Sequence, residues 1–342
     1  MPSALNPVKA LMSSFRGLGL SAAQVRHFFP PWWNDEAAED ENAFLELQIL
    51  LARRLNVSLP TLEASAPSPQ FRDTSRRFKT DHPEGSTQLA VAAGVGHGVA
   101  QVLAATFEGP APLPAMPAEE LRTVLLRRAS AITLDVLCAW MWEQGVPVVH
   151  ITNWPKLLRR PDAMCVRIGE RPVILVVRKE VAPSRLTYLV AHEIGHIMSG
   201  HLRVGSDEIL VDDTLPVDDQ GFAQDEDEKV ADAYALELLG GNSLRAAVNG
   251  LLDTYTDEMK LALGALSAAK GARLDAGQVI LSWARRHKDW RTAGLAMRYL
   301  MTTSAAPLVI NDMAKRSINA DELSGDGMEH LSQLTGIEFH EA

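Results

Sequence analysis

Two histidines four residues apart, His192 and His196, enclose Glu193 in the sequence His-Glu-Ile-Gly-His. On an α-helix, positions i and i+4 lie on one face, so both imidazoles can bind a single metal ion. Zinc bound by two histidines and a carboxylate keeps one position for water, and an adjacent glutamate can accept that water's proton during attack on a peptide carbonyl. The motif therefore predicts a zinc site, with Glu193 as general base of a metal-assisted hydrolysis.

A third metal ligand must come from another element, and the range 228–239 offers one. This range predicts a helix that ends at Gly240 and has one apolar face. The residues of that face are Ala231, Tyr234, Ala235 and Leu238. Glu228 continues the face toward the N-terminus at helical spacing, so its carboxylate should point inward and bind the metal. Three neighbouring acids lack this alignment and are interpreted as a solvated helix start, namely Asp225, Glu226 and Asp227.

Two more side chains near these motifs suit a metal site. Asp232 lies four residues after Glu228 on the same helical face, where it could accept a hydrogen bond from the far nitrogen of a ligand histidine and fix its tautomer. The alternative for Asp232 is a surface carboxylate near a helix start. His201 follows His196 by five residues, one fewer than the three-histidine motif requires, so we expect a capping or surface role for it.

The chain has two cysteines, too few for a disulfide framework. Cys138 is predicted to lie in the core. Strand alternation places Cys165 opposite Met164 and Val166, so Cys165 is not plainly a core residue. A thiolate at this position could reach the zinc, displace the catalytic water and inhibit the enzyme. The competing interpretation of Cys165 is a small, half-buried side chain.

Proline-rich and polar stretches divide the chain into four segments. We expect short helices over 1–62, a linker and a helix over 63–118, the metal-binding core over 119–243, and a helical domain over 244–342. Ser21 is predicted to cap a helix of the first segment. Apolar periodicity predicts further helices over 42–55 and 88–107.

Within the core, the apolar pattern predicts one long helix over 119–144 and a strand over 146–152. The ranges 163–168 and 171–178 should pair as a hairpin, because Gly169 can occupy the first position of a type II′ turn. The second strand of this hairpin could present an exposed edge to an extended substrate.

The helix that carries His192 should follow the hairpin over 185–201, and an acidic loop should connect it, over 207–227, to the helix of Glu228. These elements predict an α+β fold that is mostly helical. A sheet of three strands or slightly more would pack on the helix of His192, with helical segments on both flanks.

Composition limits the class of protein. Of 342 residues, 46% are hydrophobic and 22% are charged, which is typical of a soluble globular chain. No long uncharged apolar run could span a bilayer, and the N-terminal residues lack the pattern of a signal peptide. We therefore expect a cytoplasmic protein without a membrane partner. A net charge of -10 argues against broad, nonspecific attraction to nucleic acid.

The range 120–240 resembles the ImmA/IrrE-type metallopeptidase family. The parts that match are the strand and hairpin before the histidine helix, the sequence VAHEIGH over 190–196, and the sequence EKVADAYALELL over 228–239. The resemblance implies a zincin-like core in which His192, His196 and Glu228 bind Zn²⁺ and Glu193 is the general base. Some phage-defence members are thought to silence their zinc with a thiol, and Cys165 occupies a similar place before the motif.

The resemblance also implies a biological role. Members of this family commonly cleave a helix-turn-helix repressor of the Xre type and thereby switch on stress, mobile-element or phage-defence genes. The sequence therefore predicts a zinc metalloendopeptidase, a hydrolase whose partner is an Xre-type repressor. The alternative is a catalytically quiet regulator in which zinc only organises the fold and binding alone removes a DNA-bound partner.

Nucleic-acid contacts are a separate question for the two flanks. The range 51–59 is similar to the last part of Xre-type DNA-binding domains. However, the range 30–41, where the recognition helix belongs, combines prolines with acids that would repel phosphate. We therefore interpret the first segment as a remnant of such a domain that contacts protein and not DNA. Near the C-terminus, bases alternate with aromatics between Trp283 and Arg291, as in a single-strand contact. Tryptophans that pack in a helical core beside solvated arginines are the commoner alternative.

Overall fold

The computed structural model describes residues 6–63, 66, 68–79, 86–108, 113, 115–180, 182–212, 225–251, 257–300 and 305–339. Its helices are α1 Pro7–Ser14, α2 Ala22–Arg26, α3 Glu41–Arg54, α4 Ser86–Ala104, α5 Ala118–Leu126, α6 Leu134–Glu143, α7 Pro183–Met198, α8 Glu226–Leu239, α9 Gly241–Asn249, α10 Glu258–Ala272, α11 Ala276–His287, α12 Trp290–Leu300, α13 Ala306–Ser317 and α14 Gly325–Thr335. Its strands are β1 Ser75–Lys79, β2 Val148–His150, β3 Ala163–Ile168, β4 Arg171–Val176 and β5 Glu208–Asp212. The fold is α+β and mostly helical, as expected.

The strands form one mixed sheet in the order β1-β5-β3-β4-β2. β1 is parallel to β5 and β2 is parallel to β4, whereas β3 is antiparallel to both of its neighbours. The hairpin of β3 and β4 is confirmed, and Gly169 in its turn has a φ of 58°. β4 lies between β3 and β2, so the prediction that the range 171–178 offers an exposed edge is wrong.

Helices cover both faces of the sheet. Met164, Val166 and Val211 belong to a buried cluster on the face that contacts α4. Cys165 and Ile174 belong to a second buried cluster, on the face that contacts α7. Because alternate residues of a strand point to opposite faces, each strand serves both clusters, and the sheet is buried on both sides.

Helix α4 needs its glycines for close contact. A Cβ at Gly94 would lie 2.3 Å from the carbonyl oxygen of Leu55, and one at Gly98 would lie 2.7 Å from that of Arg54. On the opposite side, a Cβ at Gly96 would lie 2.9 Å from Met164 in β3. Because these three positions have no Cβ, the end of α3 and the sheet can approach the backbone of α4 closely.

The first and last segments meet over this face of the sheet. Residues of α1, α3, α4 and α14 share one buried cluster with the sheet. Helices α9 to α12 instead bury their apolar faces against one another, around Trp283 and Leu261. Among the described residues, no helix combines the length and the apolar character needed to cross a membrane.

Two features of the core differ from the sequence predictions. The single helix expected over 119–144 is two helices, α5 and α6, and residues 127–133 separate them. Leu125 and Ile132 lie on either side of this break at the spacing expected of one continuous helix, so the apolar pattern alone did not reveal the break. Strands β1 and β5 were not predicted, and β5 occupies the start of the expected acidic loop. The rest of that loop, 213–224, lies outside the described residues.

Candidate metal centre

Helix α7 presents both histidines on the side that faces α8. Pro183 stands in its first turn, where a missing N–H does no harm, and Gly200, with a φ of 71°, follows its end. His192 and His196 are fully buried. A Cβ at Gly195 would lie 2.8 Å from the carbonyl oxygen of Ala231 in α8. The glycine of the motif therefore allows the two helices to touch along their backbones.

Helix α8 supplies Glu228, as predicted. Asp225 caps the helix by accepting a hydrogen bond from the backbone N–H of Asp227 at 3.0 Å, and Glu226 is exposed. Glu228, one turn further on, is fully buried against α7. The acidic start of α8 is thus divided between helix capping and the interior of the site, in agreement with helical spacing.

A fourth residue comes from the sheet. Asp212 ends β5 and pairs with Ala163 of β3 and Lys79 of β1. In an antiparallel pair, residues directly opposite each other point to the same face, so Asp212 shares the α7 face with Ala163. Its carboxylate reaches the two histidines, and sequence reasoning missed it because the range was interpreted as an acidic loop. The run Ile209-Leu210-Val211 before it was the available signal for a strand.

His192, His196, Asp212 and Glu228 form a buried group that could hold a metal ion, because one ligand atom from each lies within 4.8 Å of all the others. The Nε2 atoms of the two histidines are 3.0 Å apart. The Glu228 carboxylate lies 3.2 Å from His192 Nε2 and 3.4 Å from His196 Nε2. The corresponding distances from Asp212 Oδ2 are 3.5 and 3.9 Å.

Glu193 is buried next to this group. Among the described residues, no basic, hydroxyl or amide group donates a hydrogen bond to its carboxylate, which lies against the carboxyl group of Asp212. Burial, together with the negative charges of Glu228 and Asp162, raises the pKa of Glu193 to about 8. Burial and the charges of Glu193 and Glu228 likewise raise the pKa of Asp212. The buried carboxylates of Glu193, Asp212 and Glu228 lie close together, and a cation bound among them would compensate their charge.

The far side of His192 is held by Asp232. The Nδ1 atom of His192 lies 3.1 Å from Asp232 Oδ1, which also accepts a hydrogen bond from the hydroxyl of Tyr188. Burial opposes protonation of His192, but the bonds to Asp232 and Glu228 and the charge of Asp212 raise its pKa to about 10. The predicted contact between Asp232 and one of the two motif histidines is therefore present.

His201 supports the second histidine. Helix α7 ends at Met198, and the backbone N–H of His201 donates to the carbonyl of His196 at 3.0 Å. The Nδ1 atoms of the two rings are 2.8 Å apart, and His201 Nε2 is 3.6 Å from Asp227. Of the two roles expected for His201, capping or a surface position, the structure has the capping contact. The ring does not lie on the surface, because the chain turns at Gly200 and brings it back against His196. His201 is not one of the four residues grouped above.

Cys165 requires a correction. It does lie on the sheet face opposite Met164 and Val166, but its side chain is fully buried between the sheet and α7, so the doubt about a core position was wrong. Burial, with the charge of Glu193, raises the pKa of the thiol well above its usual value. Its sulfur is not among the four grouped ligand atoms. Cys138 is fully buried, as predicted.

The remaining residues of interest are structural in their contacts. Trp283 is only 1% exposed and belongs to the core of α9 to α12, which is the commoner alternative considered for the basic and aromatic range. Arg285, two residues on, lies over the ring of Tyr188, 4.8 Å from its centroid. The hydroxyl of Tyr234 donates to the carbonyl of Met116. In the range 30–41, the structure has a short 3₁₀ helix, Asp35–Glu39, where a recognition helix would belong.

Comparisons of this chain with protein-family models, with curated proteins and with solved structures gave no match.

Proposed function

We propose that the protein is a zinc-dependent endopeptidase of the ImmA/IrrE type, with a zincin-like arrangement of α7 on the sheet. The observation that carries the proposal is the carboxylate of Glu193, which is buried beside the grouped ligands and receives no hydrogen bond from a basic, hydroxyl or amide group among the described residues. Its side-chain neighbour is the carboxyl group of Asp212, which brings no positive charge. An unpaired buried carboxylate destabilises a fold, so its presence here needs a reason. A general base that acts on a water molecule supplies that reason, whereas a purely structural site does not.

The donor atoms suit zinc. Two imidazole nitrogens and carboxylate oxygens are ordinary zinc ligands, with bond lengths of about 2.0 to 2.2 Å. Donors at the corners of a tetrahedron with such bonds are about 3.4 Å apart. The distances among His192, His196 and Glu228, from 3.0 to 3.4 Å, are close to that value. A zinc ion bound here would act as a Lewis acid toward water and a peptide carbonyl.

Each residue then has a defined task. His192, His196 and Glu228 would hold the ion, and Asp232 would keep the Nδ1 proton of His192 so that Nε2 faces the ion. Glu193 would accept the proton of the attacking water and pass it to the leaving amine. A dication among these carboxylates favours the ionised form of Glu193 that this task requires.

The proposed substrate is an Xre-type helix-turn-helix repressor, cleaved in the cytoplasm to switch on stress, mobile-element or phage-defence genes. The support for this choice is the likeness of 190–196 and 228–239 to the motifs of the family. These are also the two ranges that meet at the buried group of α7 and α8.

Glu193→Gln tests the proposal, because the amide keeps the shape of the side chain and cannot accept a proton. We expect the variant to retain one zinc per chain by elemental analysis. Cleavage of an Xre-type repressor that the wild-type protein cleaves, followed by mass spectrometry, should fall by about 10²-fold or more. Glu208→Gln, at a buried acid of β5 outside the ligand group, is the matched control and should keep its activity. If Glu193→Gln cleaves and derepresses like wild type, the endopeptidase assignment is wrong.

Asp212 favours a second candidate, the catalytically quiet regulator. Four buried protein ligands around one ion are typical of structural zinc sites, which lack an open position. In that case zinc would only stabilise the fold, and the protein would act by binding its DNA-bound partner. Removal of zinc would then abolish partner binding, while Glu193→Gln would have no effect on derepression.

A further inference from the structure

Asp212 is the one grouped ligand that comes from the sheet. Its side chain is 1% exposed, and among the described residues its carboxylate receives no hydrogen bond from a basic, hydroxyl or amide group; it lies against the carboxyl group of Glu193. Its Oδ2 atom instead points at the two histidines, 3.5 Å from His192 Nε2 and 3.9 Å from His196 Nε2. A buried carboxylate in this position is destabilising unless a cation joins it. The geometry therefore aims Asp212 at the same ion as the three other ligands.

The backbone of Asp212 cannot easily move away. It lies between β1 and β3, paired with Lys79 and Ala163, and its carbonyl accepts a hydrogen bond from the backbone N–H of Asp162 at 2.8 Å. The sheet thus fixes the Cα position and leaves only the two side-chain torsions free. Displacement of the carboxylate would therefore be a rotation about these bonds and would leave the pairing of β5 in the sheet unchanged.

The distances rank the four ligands. Glu228 lies within 3.4 Å of both histidine nitrogens, whereas Asp212 lies at 3.5 and 3.9 Å. Asp212 is therefore the outlying member of the group. The other three members, His192, His196 and Glu228, lie on the packed helices α7 and α8. Removing Asp212 would leave these three residues in place.

A fourth protein ligand conflicts with catalysis. A hydrolytic zinc site has three protein ligands and one open position, and four protein ligands close it. With Asp212 in place, Glu193 has no water to act on, and none of the four ligand side chains is more than 1% exposed. We propose that Asp212 is a displaceable fourth ligand, which keeps the site closed until a substrate or partner draws the carboxylate away. This proposal rests on the endopeptidase function.

The test uses the full chain with cobalt in place of zinc, because Co²⁺ reports ligand number through its visible absorption. The probe is acetohydroxamate, which binds only where a coordination position can open. The variants are Asp212→Ala and Asp212→Asn. The matched control is Glu208→Gln. Glu208 is a buried acid on the same strand and the same sheet face as Asp212, but it lies outside the ligand group and its carboxylate accepts a hydrogen bond from the backbone N–H of Arg203.

We expect all variants to bind one Co²⁺ per chain. A ligand that occupies a position for about 90% of the time or more weakens a competing probe at least about tenfold. Asp212→Ala and Asp212→Asn should therefore bind acetohydroxamate at least about tenfold more tightly than wild type, with a changed cobalt spectrum. Glu208→Gln should match wild type in both measurements.

Two results would overturn the proposal. If the Asp212 variants and wild type have the same cobalt spectrum and the same affinity for acetohydroxamate, Asp212 is not a ligand. If both Asp212 variants lose the metal while Glu208→Gln keeps it, Asp212 is a permanent structural ligand and is not displaceable. If the variants open the site but cleave no repressor, the inference about Asp212 holds and the endopeptidase function fails, so the two failures are distinguishable.

Discussion

His192 in α7 and His330 in α14 are both completely buried histidines, yet their surroundings have opposite charge. Asp232, Glu228 and Asp212 surround His192 and raise its pKa to about 10, although burial alone lowers it. Burial lowers the pKa of His330 to about 3, and the positive charge of Arg54 adds to this effect. The surroundings of His192 therefore favour a positive charge, whereas those of His330 disfavour one.

The region of His330 shows how a buried histidine can serve structure alone. His330 borders a cavity of about 120 Å³ between α3, α4 and α14, and neither ring nitrogen has a hydrogen-bond partner among the described residues. Arg54, on the same cavity, is bound by Asp326 at 2.5 Å and Glu329 at 2.9 Å, and these ion pairs hold its guanidinium near His330. The comparison teaches that burial of a histidine does not identify a metal site. An excess of buried carboxylate around a histidine makes it a candidate for one.

The largest expected effect comes from removing one histidine from each of the two regions. His196→Ala removes a ligand and leaves buried carboxylates without their cation, so we expect zinc affinity to fall by about 100-fold or more. His330→Leu, the matched control, should bind zinc like wild type. Competition against a chromophoric chelator measures both affinities. Equal affinity of His196→Ala and wild type would show that the buried group is not the zinc site.

A second variant tests the contact behind His192. Asp232→Ala removes the acceptor that orients the imidazole through Nδ1, and loss of such a partner typically lowers metal affinity by about 10- to 100-fold. Glu226→Ala, at an exposed acid of the same helix, is the control for a general loss of negative charge. If the two variants weaken zinc binding equally, Asp232 acts through its charge alone and does not position His192.

The His330 side of the comparison predicts a dependence of stability on pH. The pKa of His330 is about 3 in the folded protein and near 6.5 when unfolded, so the unfolded chain takes up a proton first as the pH falls. Stability is therefore present above pH 6.5 and is lost toward pH 3, on the order of 2 kcal/mol between pH 7 and pH 5. Urea unfolding of wild type and His330→Leu across this range measures it. The same slope in both proteins would rule out His330 as its source.

The two regions also differ in how far the sequence could predict them. His192, Glu193, His196, Glu228 and Asp232 lie on two helices, where the spacing of apolar residues indicates which side chains point inward. Such information is local, and it placed these residues correctly against one another. The break between α5 and α6 could not be predicted in this way, because the helical spacing of apolar residues continues across it.

Asp212 could not be placed by local spacing. Its position depends on the pairing of β5 with β3 and β1, which join residues far apart in the chain. A short apolar run between acids predicts neither a strand partner nor a register. The same holds for Arg54, whose partners Asp326 and Glu329 lie in the last helix. Sequence reasoning therefore found the members of the buried group that lie on helices and missed the member on the sheet.

The smallest expected effect separates Asp212 from Cys165, two neighbours on one face of the sheet. Both could close the metal site, but only the carboxylate of Asp212 is grouped with the ligand atoms, and burial disfavours the thiolate of Cys165. Cys165→Ser should therefore raise basal proteolysis of the repressor by less than about twofold, whereas release of Asp212 should raise it at least about tenfold. Proteolysis assays with and without oxidant measure both effects. A larger increase in Cys165→Ser than in Asp212→Ala would assign the inhibition to the thiol, because the more effective occupant of the fourth position causes the larger gain when it is removed.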